Sequence, residues 1–259
     1  MKKFVVFSYP RTGSTLLVKT LNNLKGVVCQ SEIFHQDFNS FKRAFIDREF
    51  ISNNMKLPLK GFFLNEEKVF KKLFRLKNHD FHSFLKEIYQ ETTLAMGFKI
   101  FPGQHDEAFN YLLGEESVYK VILERENRLR SYVSEQISFK TGKWDRYTGE
   151  EPNLVQIDID VNDFLLYKER IDGYLIETEK ALEMSGQKYL KLTYEKIFQD
   201  VPYKIILDFL DILEIIQFEN SINQERQNPF SLEDMILNYR QVKEALTIQE
   251  LQHYLDNSR

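Results

Sequence analysis

Between Ser8 and Thr15 the chain gathers two serines, two threonines, an arginine and a glycine into Ser-Tyr-Pro-Arg-Thr-Gly-Ser-Thr. An apolar run, Phe4-Val-Val-Phe7, precedes this loop, and an amphipathic segment opening at Ser14 follows it. Strand, tight loop and helix in that order make an anion site, because backbone N–H groups around Gly13 and the unpaired donors of the first helical turn converge. Thr12, Ser14 and Thr15 add hydroxyls, and Arg11 adds a planar cationic fork. Hydroxyls and a cation at the first strand–helix turn favour phosphate or sulfate binding over a turn kept for packing alone.

The loop departs from that of a nucleoside-triphosphate binder, which sets a lysine directly after its second glycine to reach the β- and γ-phosphates. Here Ser8 stands at the first glycine position and Ser14 at the lysine position, and the cation sits inside the loop at Arg11. No evident strand end carries an acid for magnesium.

Ser8 to Thr15 resembles the 5'-phosphosulfate loop of sulfotransferases that use 3'-phosphoadenosine 5'-phosphosulfate (PAPS). That pattern runs Ser/Thr-Tyr-Pro-Lys/Arg-Ser/Thr-Gly-Ser/Thr-Ser/Thr. The arginine and the Leu16-Leu17 that ends the segment are similar to the bacterial carbohydrate enzymes of the nodulation-factor and trehalose type. Further downstream, Val118-Tyr-Lys-Val-Ile-Leu-Glu-Arg-Glu-Asn-Arg-Leu-Arg-Ser-Tyr-Val-Ser134 resembles the family's 3'-phosphate element. The resemblance implies Arg125 and Ser134 as its ligands, with Ser131 as the alternative, since the usual serine spacing is eight and here it is nine. A solvated basic helix face carrying Arg128 and Arg130 is the plainer reading of the same stretch. Leu192-Thr-Tyr-Glu-Lys-Ile-Phe-Gln-Asp200 resembles the strand-ending segment whose tyrosine lies against adenine, which implies Tyr194; the alternative is a simple helix cap. The stretch Gln224–Tyr239 resembles the closing C-terminal loop, with Arg226 as its cation, although the usual Arg-Lys-Gly triplet is absent. The matches run from residue 4 to about 239.

What the resemblance implies is sulfuryl transfer, in which positioning and charge stabilisation dominate as they do in phosphoryl transfer. Arg11 would neutralise charge on the bridging oxygen, and it acts only electrostatically because guanidinium holds its proton. The base belongs just after the second strand, beside the loop, in Val27-Val-Cys-Gln-Ser-Glu-Ile-Phe-His35. Glu32 matches the family's glutamate base, and Ile33 and Phe34 would supply an apolar setting that raises a carboxyl toward neutrality. His35 needs no such shift and stays open as the base. Lys99, in Met96-Gly-Phe-Lys-Ile-Phe101, matches another element of the same group. It reads equally as a binder of the transferring group or acceptor and as a snorkelling structural lysine.

The elements that must position these residues follow from hydropathy. Short apolar strands are expected at Lys3–Ser8, Gly26–Cys29, Met96–Phe101, Val118–Leu123 and Lys188–Leu192. Helical spacing marks Ser14–Leu24, Glu66–Lys77, Phe81–Leu94, Asn127–Lys140 and Val161–Met184. All-apolar strands alternating with helices predict an α/β fold, a central parallel sheet covered on both faces. No linker divides residues 1–259, so one domain is expected. Phe34–Asn65 and Thr141–Val161, the latter with Trp144 and Tyr147, are the long connections where acceptor specificity would sit. Leu246, Leu251 and Leu255 space the tail as a helix that packs on the core or on a second subunit, so a homo-oligomer stays open.

Composition sets the outer limits. There are 35 Lys plus Arg against 39 Asp plus Glu, a net charge of -4, which argues against nucleic acid as the partner. The single cysteine, Cys29, excludes a disulfide framework and a multi-thiolate zinc site, and His79 and His82 lack a third ligand, so no metal is expected. No apolar run reaches the roughly 20 residues of a membrane span, and a cytoplasmic location is expected. The expected partners are PAPS, with its product adenosine 3',5'-bisphosphate (PAP), and a hydroxyl-bearing small molecule or glycan. A kinase-like phosphotransferase and a catalytically silent nucleotide-binding module are the alternatives.

Overall fold

A computed structural model describes residues 1–46, 66–89, 93–145, 149–199, 202–212 and 228–256. Arg226 and Tyr147 lie outside the described residues. In chain order the elements are β1 (Lys2–Phe7), α1 (Ser14–Asn22), β2 (Val27–Gln30), α2 (Phe38–Ile46), α3 (Glu66–His79) and α4 (Phe81–Ile88). Then come β3 (Ala95–Ile100), α5 (Asp106–Gly114), β4 (Val118–Glu124), α6 (Arg128–Thr141) and α7 (Val161–Met184). The remainder is β5 (Tyr189–Thr193), α8 (Tyr194–Gln199), α9 (Pro202–Phe209), α10 (Leu232–Met235), α11 (Tyr239–Ile248) and a 3-10 turn at Gln252–Leu255.

The five strands form one parallel sheet in the order β2-β3-β1-β4-β5, as the alternation of apolar strands and helices predicts. Strand geometry sends alternate side chains to opposite faces. In β1, Phe4 and Val6 pack with Leu16, Leu17 and Leu21 of α1 on one face. Val5 and Phe7 pack on the other with Leu112 of α5, Val133 of α6 and Phe164 of α7. All four β1 side chains are fully buried. Gly97, the register partner of Phe4, is the space that lets the Phe4 ring lie across β3, since a Cβ there would meet that ring at 2.4 Å.

This order fixes where a site can form. From β1 the chain moves one way along the sheet to reach β2, whereas β3 to β4 and β4 to β5 run the other way. Right-handed crossovers then lie on opposite faces, and the connections part at the carboxyl end of β1. That end, flanked by β3 and β4, is the topological switch point of the sheet.

Several expected boundaries move. The helix read as Phe81–Leu94 ends at Ile88, with Tyr89 as its C-cap. Leu94 instead leads into β3, its N–H donating to the Gly26 carbonyl at 2.8 Å. Phe34–Asn65, read as a long connection, contains α2. Within Thr141–Val161, Ile157 makes an isolated parallel bridge to Ile236. The C-terminal tail packs on this chain's own core through Leu246, Leu251 and Leu255.

Lys77, 1% exposed, donates from Nζ to the His35 carbonyl at 2.7 Å and stands 4.3 Å from the Phe74 ring centre. Burial pushes its amine down to about 8. The folded state therefore releases this proton before the unfolded chain does, and stability rises with pH between those two values. Relative to Lys77→Met, the native protein should gain up to roughly 3 kcal/mol of unfolding free energy between about pH 7 and about pH 10.5. Parallel urea titrations of the two proteins measure this, and a pH-independent difference would contradict it.

Candidate anion-binding site at the end of β1

The loop after β1 is braced to both neighbouring strands. Ser8 N–H donates to the Ile100 carbonyl at the end of β3 at 3.2 Å, and its Oγ lies 3.1 Å from the Leu123 carbonyl of β4. Ser8 Oγ is 2.6 Å from Thr12 Oγ1, which is itself 2.7 Å from the Tyr9 carbonyl. With one proton on each hydroxyl, only two of these three contacts are hydrogen bonds at a time. Thr12, read from the sequence as a ligand hydroxyl, is 2% exposed and spends its hydroxyl inside the loop. Arg11 and Gly13 both take left-handed backbone, φ +66° and +83°, so the loop stores strain at a non-glycine position. α1 starts at Ser14 with Gly13 as its N-cap and no capping side chain, which leaves the positive end of the helix to an anion.

Gly13 also admits Tyr194, since a Cβ there would stand 2.3 Å from Tyr194 Cδ2. Gly13→Ala should cost both left-handed strain of about 1–2 kcal/mol and displacement of that ring. Gly103→Ala, at φ +76° with nothing within 4 Å of its Cβ, should cost the strain alone. Equal losses in urea unfolding would contradict the packing role given to Gly13.

On the β3 and β2 side, Lys99 is 2% exposed, and its Nζ reaches Ser14 Oγ at 3.3 Å and Thr15 Oγ1 at 3.2 Å. The same ammonium pairs with Glu32 Oε1 at 3.1 Å, while Gln104 Nε2 donates to Glu32 Oε2 at 2.9 Å. Lys99 is thus turned into the crevice and does not snorkel away from it. The Glu32 carboxylate stands against a cation and an amide; the expected apolar setting is absent, because Ile33 and Phe34 turn into the core, both 0% exposed. His35 lines the same cavity, and its Nδ1 accepts from the Asp37 N–H at 3.0 Å, which places the neutral ring's proton on Nε2 as a donor.

On the β4 and β5 side, Arg125 follows β4 and donates to the Arg11 carbonyl at 3.3 Å. Its guanidinium stacks over the Tyr194 ring, 4.3 Å from the centroid. One face of Tyr194 is therefore occupied, and a purine would meet this ring from elsewhere or in place of the arginine. Glu195, in the first turn of α8, reaches the residues that lead into α6: its carboxylate accepts from the N–H groups of Glu126 and Asn127 at 3.2 and 3.4 Å.

Arg11 reaches across to this side. Its Nε donates to Ser134 Oγ at 3.0 Å and its Nη1 to the Trp144 carbonyl at 2.5 Å. Ser134 Oγ also accepts from Asn228 Nδ2 at 3.2 Å, and Ser131 Oγ lies 3.5 Å from the Arg11 carbonyl. Both candidate serines therefore face Arg11. Burial, with the Arg125 charge adding to it against Asp145, pulls Arg11 below its ordinary basicity, and it remains a cation. Arg128 and Arg130 do not form a solvated basic face: both are buried, and Arg128 pairs with Glu124 at 2.7 Å and Asp172 at 2.9 Å. Glu124 is an acid at a strand end that the sequence did not make evident, and it is held by Arg128 and by Lys191 at 3.1 Å.

A cavity of about 550 Å³ opens at this point, lined among others by Arg11, Ser14, Thr15, Glu32, His35 and Lys99. Gln104 and Trp144 also line it; Trp144 belongs to the long connection read as a place for acceptor specificity, whereas residue type alone gave no sign of Gln104. Glu135 of α6, 8% exposed, is a further acid near Arg11; burial raises its carboxyl while Arg170 and Arg11 oppose that. Among the described residues no group of three His, Cys, Asp or Glu is arranged to hold a metal, and no helix is long and apolar enough to cross a membrane.

Fold and site together define an α/β protein with a hydroxyl- and cation-lined crevice at the switch point of a parallel sheet. Neither protein-family models nor curated proteins yield a match to this chain.

Proposed function

We propose that this protein is a PAPS-dependent sulfotransferase that moves a sulfuryl group to a hydroxyl of a small molecule, a carbohydrate or glycolipid by resemblance. The observation that carries this reading is the Lys99 ammonium held between the Ser14 and Thr15 hydroxyls and the Glu32 carboxylate. One residue thereby joins the anion-ready helix start to a carboxylate able to take an acceptor proton.

The donor set suits a nucleotide with phosphates at two positions. Ser14, Thr15, Lys99 and the start of α1 face one anion, and Arg125, Ser134 and Arg11 cluster across the loop for a second. PAPS supplies the activated sulfuryl group. Glu32 takes the acceptor's O–H proton as the acceptor oxygen bonds to sulfur and the bond from sulfur to the phosphate oxygen breaks. Lys99 faces the departing phosphate's new charge, and preorganised cations in a shielded crevice act most strongly at such a point. Arg11 leans toward Ser134 and the Trp144 carbonyl, so its part is the second anion and the wall of the cavity, with Lys99 at the leaving oxygen.

The test is transfer itself. Incubation with PAPS and pooled hydroxyl acceptors should release PAP in proportion to a sulfated product seen by mass spectrometry. Phosphorylated product from ATP with magnesium, and none from PAPS, would overturn the reading.

A further inference from the structure

We propose that Gln104 is the positioning residue for Glu32, an inference that rests on the sulfotransferase reading of this crevice. The chain leaves β3 through Phe101-Pro-Gly-Gln104, a turn closed by Gln104 N–H to the Phe101 carbonyl at 3.3 Å. Gln104 Oε1 accepts from the Phe101 N–H at 3.1 Å, and its Nε2 donates to Glu32 Oε2 at 2.9 Å. Donor and acceptor chemistry fixes this orientation. The backbone N–H can only donate and the ionised carboxylate can only accept, so a flipped amide would lose both bonds.

The turn is held independently of this pair, because Gln36 Nε2 donates to the Gly103 carbonyl at 3.1 Å. Gln36 lies four residues past Glu32, so the same connection that carries Glu32 is tied to the turn that carries Gln104. With Lys99 on Oε1 at 3.1 Å, both carboxylate oxygens are fixed, and Glu32 keeps a 26% exposed side chain at the cavity. Without Gln104, only Lys99 would direct the carboxylate, and it would swing about that one contact. Gln104 thus acts through Glu32 and sets the angle at which the carboxylate meets an acceptor hydroxyl. Misplacement of a reacting group by about 1 Å is worth about 10²-fold in rate.

Gln104→Leu keeps the side-chain bulk and removes both amide contacts. It should lower kcat by about 10²-fold with PAP affinity unchanged by calorimetry, which also reports that the variant is folded. In a Glu32→Gln background the same change should cost nothing further, because the residue it positions is already gone. Side-chain amide NMR gives a reading independent of turnover: the Gln104 NH2 signals should shift in Glu32→Ala and stay put in His35→Ala. Full kcat in Gln104→Leu, an additive loss in the double variant, or an amide signal indifferent to Glu32 would overturn the inference. Failure of the sulfotransferase reading looks different, since PAP would then fail to bind the unaltered protein.

Discussion

Glu32→Gln is expected to lower kcat by about 10²–10⁴-fold, the span of a positioned general base, while PAP binds as tightly as before. Glutamine keeps the shape and its oxygen can still accept from Lys99, 3.1 Å from the native Oε1, while its NH2 meets the Gln104 Nε2 donor and loses that one bond. What it loses is the capacity to take the acceptor's proton. Single-turnover rates beside calorimetric PAP affinities separate the two effects. Full turnover would move the role to another group: His35 lines the same cavity, but it could serve as base only by giving up the Asp37 N–H on Nδ1.

Lys99→Met should be nearly as severe, with kcat falling by about 10²–10³-fold and PAP binding weakened as well. The ammonium touches Ser14, Thr15 and Glu32 from a strand position that is 2% exposed. Methionine is one atom shorter and removes the ammonium while Glu32 stays, so stability should fall as well. Arginine should not rescue, because its planar fork would not set one compact charge against Ser14, Thr15 and Glu32 together. If Lys99→Met turns over normally while Arg11→Met does not, the cation at the leaving oxygen is Arg11, as the resemblance implied.

The sheet was legible because each strand is a short apolar run that must be buried on both faces, and the loop because glycine, hydroxyls and arginine cluster after the first of them. The side-chain directions were not legible. Arg11 lies in the loop by sequence, yet its long stem carries the guanidinium to Ser134 and Trp144. Thr12 reads as a ligand hydroxyl, but the left-handed residues on either side of it turn it inward against Ser8. Ile33 and Phe34 flank Glu32 in sequence and leave it in space, since the core takes both. Gln104 was missed because a lone glutamine after a Pro-Gly turn carries no periodicity; its one signal is that turn, which returns the chain toward the end of β2. Helix α4 was drawn too long because Leu94, which continues an apolar pattern, serves β3 instead.

Whether this crevice holds a 3'-phosphorylated nucleotide is decided by a calorimetric titration. PAP without metal is expected to bind with a dissociation constant of about micromolar or tighter, near -8 kcal/mol, and ATP with magnesium far more weakly. Binding of ATP with magnesium and none of PAP would contradict it and assign the loop to a kinase-like protein.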